Sequence, residues 1–459
     1  MRPAALALLV TLALARSVLA QPLELSTEVT EHVRAIHARN SDLRDDAFSK
    51  MGGSSVASKA FLHCFAAPYV ELGEYEALSE TVAYFANGRR NSFNRESQAA
   101  GVSWNLRYVL GGRPASFRKE LQLTQARWAL VLFGGNDAQN ENERVYLKRL
   151  VYLVEELESM GVVPILGSAL PRRNAHKDRW IRRFNAITEA VAKHWSLPFI
   201  DYHASLSALP RKGLARDGVH PNVFGHGGLQ AACQLTDRGL RYGNNVRNLL
   251  TLEMLDALLR VVGAAGIDSG VDTGTDADAG TDTGVDAGTD TDTDTGTGTD
   301  TDTDTGTGTG TGTGTDADAG TDAGTDTDTD TDTAPAPAPD TAPAPDPFPF
   351  SDLISKPSLP PSEALPRNCG ASQSGARFYR HRVELGERTR LRASALDLAG
   401  YRHRVLWVRV GEDGERCVRR RTQTLEVDAQ PGMWDLIVEV PERAAQQGQM
   451  LILITRNPR

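Results

Sequence analysis

The chain has 459 residues, enough for two or three domains, and a formal net charge of −9. The negative net charge comes from one segment, because residues 266–350 contain 21 Asp and no Glu, Lys or Arg. Without these 21 negative charges, the net charge of the rest of the chain is −9 + 21 = +12. After residue 20 no apolar run is long enough to span a bilayer, which argues against an integral membrane protein. The basic remainder favours polyanionic surroundings such as acidic glycans or cell-wall polymers; a nucleic-acid partner is not expected.

Residues 1–20 have the pattern of a secretory signal peptide. Arg2 provides a basic start, residues 4–15 are apolar, and residues 18–20 (Val-Leu-Ala) precede a predicted cleavage site. No Cys follows that site, so a lipid anchor is not expected there. The sequence therefore predicts a protein that is exported, either secreted or extracytoplasmic.

Residues 21–265 alternate short apolar runs with segments of helical spacing. The runs are typical of buried parallel strands, and each is too short for a helix. Strands are predicted at 128–133, 162–167 and 197–201, and helices at 141–160 and 176–195. This alternation predicts a parallel sheet with helices on both faces, whose reactive groups lie on loops after the carboxyl ends of the strands.

Two loops of this domain carry polar side chains beside glycines. Residues 52–55 (Gly-Gly-Ser-Ser) precede a helix-like run, so a serine hydroxyl is exposed at a tight turn whose N–H groups can receive an oxyanion; a purely structural turn is the alternative. Residues 133–137 (Phe-Gly-Gly-Asn-Asp) close an apolar strand. Asn136 can direct its amide into the same pocket, while Asn136 or Asp137 can instead cap the following helix.

Asp217 and His220 form the most specific motif. A carboxylate three residues before a His reaches the ring Nδ1 and leaves Nε2 free to act as a base. His226 is a rival base, but it lacks an Asp three residues earlier. Farther along, Arg247 either binds a substrate anion or, as a buried residue, joins the terminal helix to the core.

Taken in this order, the motifs resemble those of the SGNH/GDSL hydrolase family over residues 45–260. Members of that family are serine hydrolases with a flavodoxin-like, three-layer α/β/α fold. The resemblance implies that Ser54 is the nucleophile, His220 the base, Asp217 the acid that orients the base, and Asn136 an oxyanion donor.

Two positions depart from the family pattern. The first motif is usually Gly-Asp-Ser, and here Gly53 replaces the Asp. Because that Asp is not the triad acid, its replacement does not exclude catalytic activity. It does leave two candidates for the nucleophile, Ser54, which we prefer, and Ser55. The second-motif Gly, which donates its N–H to the oxyanion, is best matched by Gly101, with Ser103 as the alternative.

Residues 266–350 have a strongly biased composition, first Thr, Asp, Gly and Ala, then Pro and Ala. With so few large apolar side chains the segment cannot offset its chain entropy, and it is predicted to be a disordered, extended linker. Calcium binding is an alternative because Asp-x-Asp-x-Asp recurs. These repeats lack the turn glycine and closing carboxylate of a calcium loop, so no metal site is predicted.

Residues 351–459 contain short strand-like stretches separated by Gly-rich turns, which predicts a small antiparallel β-sandwich. Four aromatic residues here either stack on sugars or, as their alternating positions favour, pack in the core: Tyr379, Tyr401, Trp407 and Trp434.

The chain has four cysteines, two in each predicted folded region: Cys64 and Cys233 in the first, and Cys369 and Cys417 in the second. In an exported protein this arrangement predicts two local disulfides, with buried free thiols as the alternative. Neither spacing resembles a zinc site.

Together these features predict a secreted serine esterase that needs no cofactor and removes acetyl or other short acyl groups from a carbohydrate or cell-wall polymer. One alternative is a binding protein that kept the fold but lost activity when the motif Asp became Gly53. Another is a surface adhesin with a glycan-binding C-terminal module.

Overall fold

A computed structural model describes residues 22–67, 70–140, 142–225, 228–264, 350–361, 365–411, 414–422 and 424–457. The predicted signal peptide, the predicted linker apart from Phe350, and His226 lie outside these residues. In the part of the chain that is described, no helix is both long enough and apolar enough to cross a membrane.

The first folded region, residues 22–264, contains nine α-helices and four β-strands among its described residues. The helices are α1 (Thr27–His37), α2 (Ser54–Ala57), α3 (Ser79–Phe85), α4 (Leu106–Val109), α5 (Ser116–Thr124), α6 (Glu143–Ser159), α7 (Ala175–His194), α8 (Tyr202–Ser207) and α9 (Gly243–Val262). The strands are β1 (Arg44–Gly52), β2 (Ala126–Leu132), β3 (Val163–Gly167) and β4 (Phe199–Ile200). The three strands and two helices predicted from the sequence are all present.

The four strands form a parallel sheet in the order β1-β2-β3-β4. On the free side of β1, Gly52 forms a parallel bridge with Ala100, so the segment around residue 100 lies where a further strand would. With that segment counted, the order is that of a flavodoxin-like sheet. Every residue of β2 and β3 is buried, as the continuous apolar runs predicted.

Helices pack on the sheet in two groups. In α6, Leu147, Leu150 and Leu157 are buried, and α6 and α7 pack against each other and against β3. In the second group, α1 and α9 pack together, α1 touching β3 and α9 touching β4. This three-layer α/β/α arrangement is the fold class predicted from the sequence.

The second folded region, residues 350–457, consists of two four-stranded antiparallel sheets. One has the order β10-β7-β12-β5 and the other β6-β11-β8-β9. The elements are β5 (Phe350–Ser355), β6 (Arg377–Leu385), β7 (Thr389–Asp397), β8 (Arg404–Gly411), β9 (Gly414–Thr422), β10 (Thr424–Ala429), β11 (Gly432–Val440), α10 (Glu442–Ala445) and β12 (Gln449–Asn457). The antiparallel sheets agree with the sequence prediction.

The two indoles of this region lie in its interior. Trp407 is 0% exposed and Trp434 2%, and their rings meet edge to face at 6.5 Å. Tyr379 donates its hydroxyl to Asp352 Oδ2 at 3.1 Å, and Tyr401 is partly exposed. Buried indoles cannot stack on a sugar, so the core-packing interpretation of Trp407 and Trp434 is correct.

The β-sheets pack directly on α7. His194 donates from Nδ1 to the carbonyl of Leu353 at 2.8 Å. Arg183 is buried between the two regions, pairing with Glu143 and donating to Thr455 and, at 3.2 Å, to Ser394. The sheet that contains β5, β7 and β12 therefore packs against α7. The N-terminal end of the same helix borders the site described below.

Both predicted disulfides are present. Cys64 is joined to Cys233 and Cys369 to Cys417. The first bond closes a long loop across the α/β region, and the second closes a short loop within the β-sheets.

Candidate active site

Ser54 is presented by a sharp turn between β1 and α2. The strand ends at Gly52, Gly53 is the N-cap and Ser54 is the first helical residue. A Cβ on Gly52 would lie 2.4 Å from Val56 Cγ2 and 2.8 Å from the Leu132 carbonyl oxygen, so the strand and helix can approach this closely only with glycine there. Ser54 Oγ lies 2.8 Å from His220 Nε2.

Asp217 and His220 interact within one short loop, as their spacing predicted. Asp217 Oδ2 lies 2.6 Å from His220 Nδ1, and Oδ1 accepts the backbone N–H groups of Val219 at 2.9 Å and His220 at 3.0 Å. The hydrogen bond from the His220 ring is the main cause that lowers the pKa of Asp217 to about 2. The acid therefore stays ionised at neutral pH and orients the ring with Nε2 towards Ser54.

The two serines of the turn differ in their contacts. Ser54, and not Ser55, makes the hydrogen bond to His220. Ser55 points its carbonyl oxygen at Arg247, which donates from Nη1 at 2.7 Å. Of the two, Ser54 is the one whose hydroxyl lies at hydrogen-bond distance from His220.

Asn136 lies beside the serine turn. Its Nδ2 donates one hydrogen bond to the Trp104 carbonyl at 2.8 Å, which fixes the amide and leaves its second N–H to point elsewhere. Asp137 accepts the backbone N–H groups of Leu106 and Gly134, each at 3.1 Å. Neither residue caps the following helix; that cap is Asn142, which accepts the N–H of Val145 at 3.1 Å.

The structure does not place Gly101 as an oxyanion donor. Its N–H donates to the Gly52 carbonyl at 3.1 Å, in the bridge that extends the sheet, and Gly101 does not line the pocket at Ser54. Ser103, the alternative, is exposed. Ser54 is the first residue of α2, and the first N–H groups of a helix have no carbonyl partner within it.

A small pocket surrounds the Ser54 hydroxyl. Its volume is about 50 Å³, against the roughly 10–15 Å³ that one enclosed water needs, so it admits only a few heavy atoms. Sixteen residues line it, among them Trp104, Asn136, Arg172, His220 and Arg247. Trp104 and Arg172 were missed from the sequence, because neither lies in a motif and both reach the pocket through loops distant in the chain.

Arg247 is buried beneath the serine turn. It is 1% exposed, and its guanidinium carbon lies 3.8 Å from the centroid of the Phe61 ring. Burial lowers the pKa of Arg247 to about 10, so the side chain is still cationic at neutral pH. The structure supports the interpretation that it joins the terminal helix to the core, and it makes this contact at the turn that carries Ser54 and Ser55.

Among the described residues no cluster of three or more His, Cys, Asp or Glu side chains could hold a metal ion. The chemistry that this arrangement supports is transfer of a proton from a serine hydroxyl to a histidine that a carboxylate orients.

Residues 73–227 match the GDSL-like lipase/acylhydrolase family. Ser54 precedes this match, so its placement depends on the geometry above. No curated protein matches the chain.

Two solved structures illustrate what the chain is similar to. A GDSL-like lipase from Bacteroides thetaiotaomicron is 16% identical, with 50% of this chain and 98% of that one covered and a TM-score of 0.33. An acetylxylan esterase from Geobacillus stearothermophilus is 15% identical, with 47% and 96% covered and a TM-score of 0.32.

Proposed function

We propose that this ester-bond hydrolase, which contains a GDSL-like lipase/acylhydrolase domain at residues 73–227, acts through a triad of Ser54, His220 and Asp217. The observation that carries the proposal is the continuous chain of contacts from Ser54 Oγ to His220 Nε2, 2.8 Å, and from His220 Nδ1 to Asp217 Oδ2, 2.6 Å. Both distances are within hydrogen-bond reach, which is the geometric requirement for a nucleophile and its base.

The reaction is a two-step acyl transfer. Ser54 Oγ attacks the ester carbonyl carbon while His220 Nε2 accepts its proton, and the resulting oxyanion is held by the Ser54 N–H and the second N–H of Asn136. The tetrahedral intermediate collapses, and His220 returns the proton to the departing alcohol. A water molecule then attacks the acyl-enzyme with His220 again as the base, releasing the carboxylic acid and restoring Ser54.

The preferred acyl group is short. The pocket at Ser54 has a volume of about 50 Å³ and is lined by Trp104 and Leu170 among others, which suits an acetyl group better than a longer chain. Each further methylene is expected to lower kcat/KM, because it has no space to enter without displacing packed side chains.

The protein is exported, and its substrate is an acylated carbohydrate or cell-wall polymer. The signal-peptide pattern of residues 1–20 supports export, as do two disulfides, since such bonds persist in oxidising compartments. The positive charge of the chain outside residues 266–350 supports a polymer of negative charge.

A serine-reactive phosphonate tests the catalytic part of this proposal. We expect it to label wild-type protein on the peptide that contains Ser54, and to leave Ser54→Ala unlabelled. The same pair is then assayed with p-nitrophenyl acetate and p-nitrophenyl octanoate. Absence of labelling together with absence of acetate hydrolysis in the wild type would overturn the proposed function.

A further inference from the structure

A second, larger cavity opens beside the pocket at Ser54. Its volume is about 420 Å³, and it shares four lining residues with that pocket: Gly135, Asn136, Arg172 and Val219. We call it the acceptor groove. Since the smaller pocket is nearly filled by an acyl group, the alcohol part of an ester that reaches Ser54 must lie outside it, and the acceptor groove is the adjoining space.

The lining of the acceptor groove is basic. Arg172, His176 and Lys177 contribute to it, and no Asp or Glu is among the residues that line it. His176 and Lys177 are exposed in the first turn of α7. Lys177 carries a positive charge there, and the positive end of the helix dipole adds to it.

Arg172 is held at the junction of the two cavities. Its Nη1 donates to the carbonyls of Leu170, Pro171 and Val219 at 3.0–3.3 Å. Its Nη2 would lie 2.9 Å from a Cβ on Gly135, so the guanidinium packs closely against the backbone of that glycine.

The carboxylates nearest to Arg172 are already engaged. Asp178 is bound by Lys212 at 3.1 Å and by His203 at 3.3 Å, and Asp217 is bound by His220. Within the described part of the chain, no ion pair to Arg172 is found. The junction therefore keeps a positive charge that a substrate carboxylate can neutralise.

Trp180 supplies the apolar wall of the groove. It is 9% exposed, and its buried Nε1 has no hydrogen-bond partner among the described residues. Its ring lies 5.7 Å from the guanidinium of Arg183 and 5.2 Å from that of Arg392 in the β-sheet region. Because the ring is packed and its Nε1 is buried, Trp180 shapes the wall of the groove, and the charged side chains that can reach a ligand there are those of Arg172 and Lys177.

We propose that the acceptor groove binds the alcohol part of the substrate and that this part is an anionic saccharide, an acylated sugar that carries a carboxylate such as a uronic acid. The inference rests on the proposed esterase function and specifies its substrate class. The sugar ring occupies the groove, and its carboxylate is neutralised by Arg172 and Lys177 while the acyl group enters the pocket at Ser54.

The experiment compares two substrates that differ only in charge, mono-O-acetylated methyl glucuronide and mono-O-acetylated methyl glucoside. We expect wild-type kcat/KM to be about tenfold higher for the glucuronide, since a hydrogen bond to a charged group is worth roughly that factor or more. The preference is expected to shrink as sodium chloride is added, because salt screens exposed charges.

Lys177→Glu is the test variant, because Lys177 is exposed and its replacement leaves the fold intact. It is expected to remove most of the preference through a higher KM for the glucuronide. Lys193→Glu, the same change at the opposite end of α7 and outside the groove, is the matched control and should keep the wild-type preference.

Two failures are distinguishable. If p-nitrophenyl acetate is hydrolysed and Ser54 is labelled, but both sugar esters react equally or Lys177→Glu keeps the preference, the groove assignment is overturned and the esterase proposal stands. If p-nitrophenyl acetate is not hydrolysed and Ser54 is not labelled, the esterase proposal itself has failed.

Discussion

Gly53 faces the amide of Asn136 so closely that a Cβ at residue 53 would lie 2.9 Å from Asn136 Nδ2. The same Cβ would lie 3.2 Å from the Trp104 carbonyl oxygen, the group to which Nδ2 donates at 2.8 Å. A side chain at residue 53 would therefore enter the hydrogen bond that holds Asn136 in the site. Gly53, which replaces the Asp of the Gly-Asp-Ser motif, therefore leaves the space that the Asn136 amide and the Trp104 carbonyl occupy in this chain.

Restoring the motif should for this reason harm the enzyme. In Gly53→Asp the new side chain displaces the Asn136 amide, and we expect kcat to fall by about 10² to 10³, the usual cost of losing one oxyanion donor. Steady-state kinetics with p-nitrophenyl acetate measure the effect, with Asn136→Ala as the reference for a lost donor. A Gly53→Asp enzyme as active as the wild type would show that residue 53 does not control Asn136.

The two serines of the turn should behave differently. Ser54→Ala removes the hydroxyl that contacts His220 and is expected to lower kcat by at least about 10³-fold, whereas Ser55→Ala keeps that contact and should stay within a few-fold of the wild type. Kinetics on both variants, with circular dichroism to confirm folding, provide the comparison. The reverse ranking would transfer the nucleophile to Ser55.

The parts of the site that the sequence predicted are those whose geometry is local. Asp217 and His220 are three residues apart in one loop, and that spacing alone brings the carboxylate to Nδ1. The strands of the parallel sheet were predicted for a similar reason, since a strand buried on both faces favours a continuous apolar run, which in β2 extends from Trp128 to Leu132. The prediction that Ser54 is the nucleophile depended on the order of three separate motifs along the chain, because its partner His220 lies 166 residues away.

The parts that were missed depend on long-range pairing. Gly101 was expected to donate to the oxyanion, but whether a loop N–H is free depends on which strand pairs with it, and Gly52 accepts this one. Arg172 belongs to no motif, and its position is set by carbonyls that include Val219, 47 residues away. No local pattern marks either outcome, so only the folded structure reveals them.

Arg247 should influence catalysis without touching the substrate's acyl carbon. Arg247→Met removes the hydrogen bond to the Ser55 carbonyl and the contact with Phe61, and we expect kcat to fall about tenfold through a loosened serine turn, with KM less affected. Arg247→Lys retains the charge and should recover part of the loss. Equal kcat values for wild type and Arg247→Met would exclude a positioning role.

The disulfide between Cys64 and Cys233 should contribute strongly to stability, because the two cysteines are 169 residues apart. Closing a loop of that size lowers the conformational entropy of the unfolded chain, which is expected to stabilise the fold by about 4–5 kcal/mol. Urea denaturation of the Cys64→Ala/Cys233→Ala double variant measures this, with the Cys369→Ala/Cys417→Ala pair, 48 residues apart, as a shorter-loop control. A smaller loss in the Cys64/Cys233 variant than in the control would contradict the loop-length argument.

Glu253 in α9 should make the fold less stable at alkaline pH. Burial is the main cause that raises the pKa of Glu253 to about 7 from its ordinary 4.5, and the negative charge of Asp256, one helical turn away, adds to it. A raised carboxyl pKa means that the folded state binds the proton more tightly than the unfolded state, so stability falls as pH rises from about 4.5 to about 7 and is level above that.

Glu253→Gln removes this titration. The group is only partly buried and is screened by solvent, so we expect the variant to be more stable than the wild type by on the order of 1 kcal/mol at pH 8 and to show little difference at pH 4.5. Urea midpoints at the two pH values measure the change. If the difference between variant and wild type is the same at both, Glu253 does not titrate in this range in the folded protein, because only a proton held more tightly by the native state produces a pH-dependent gain.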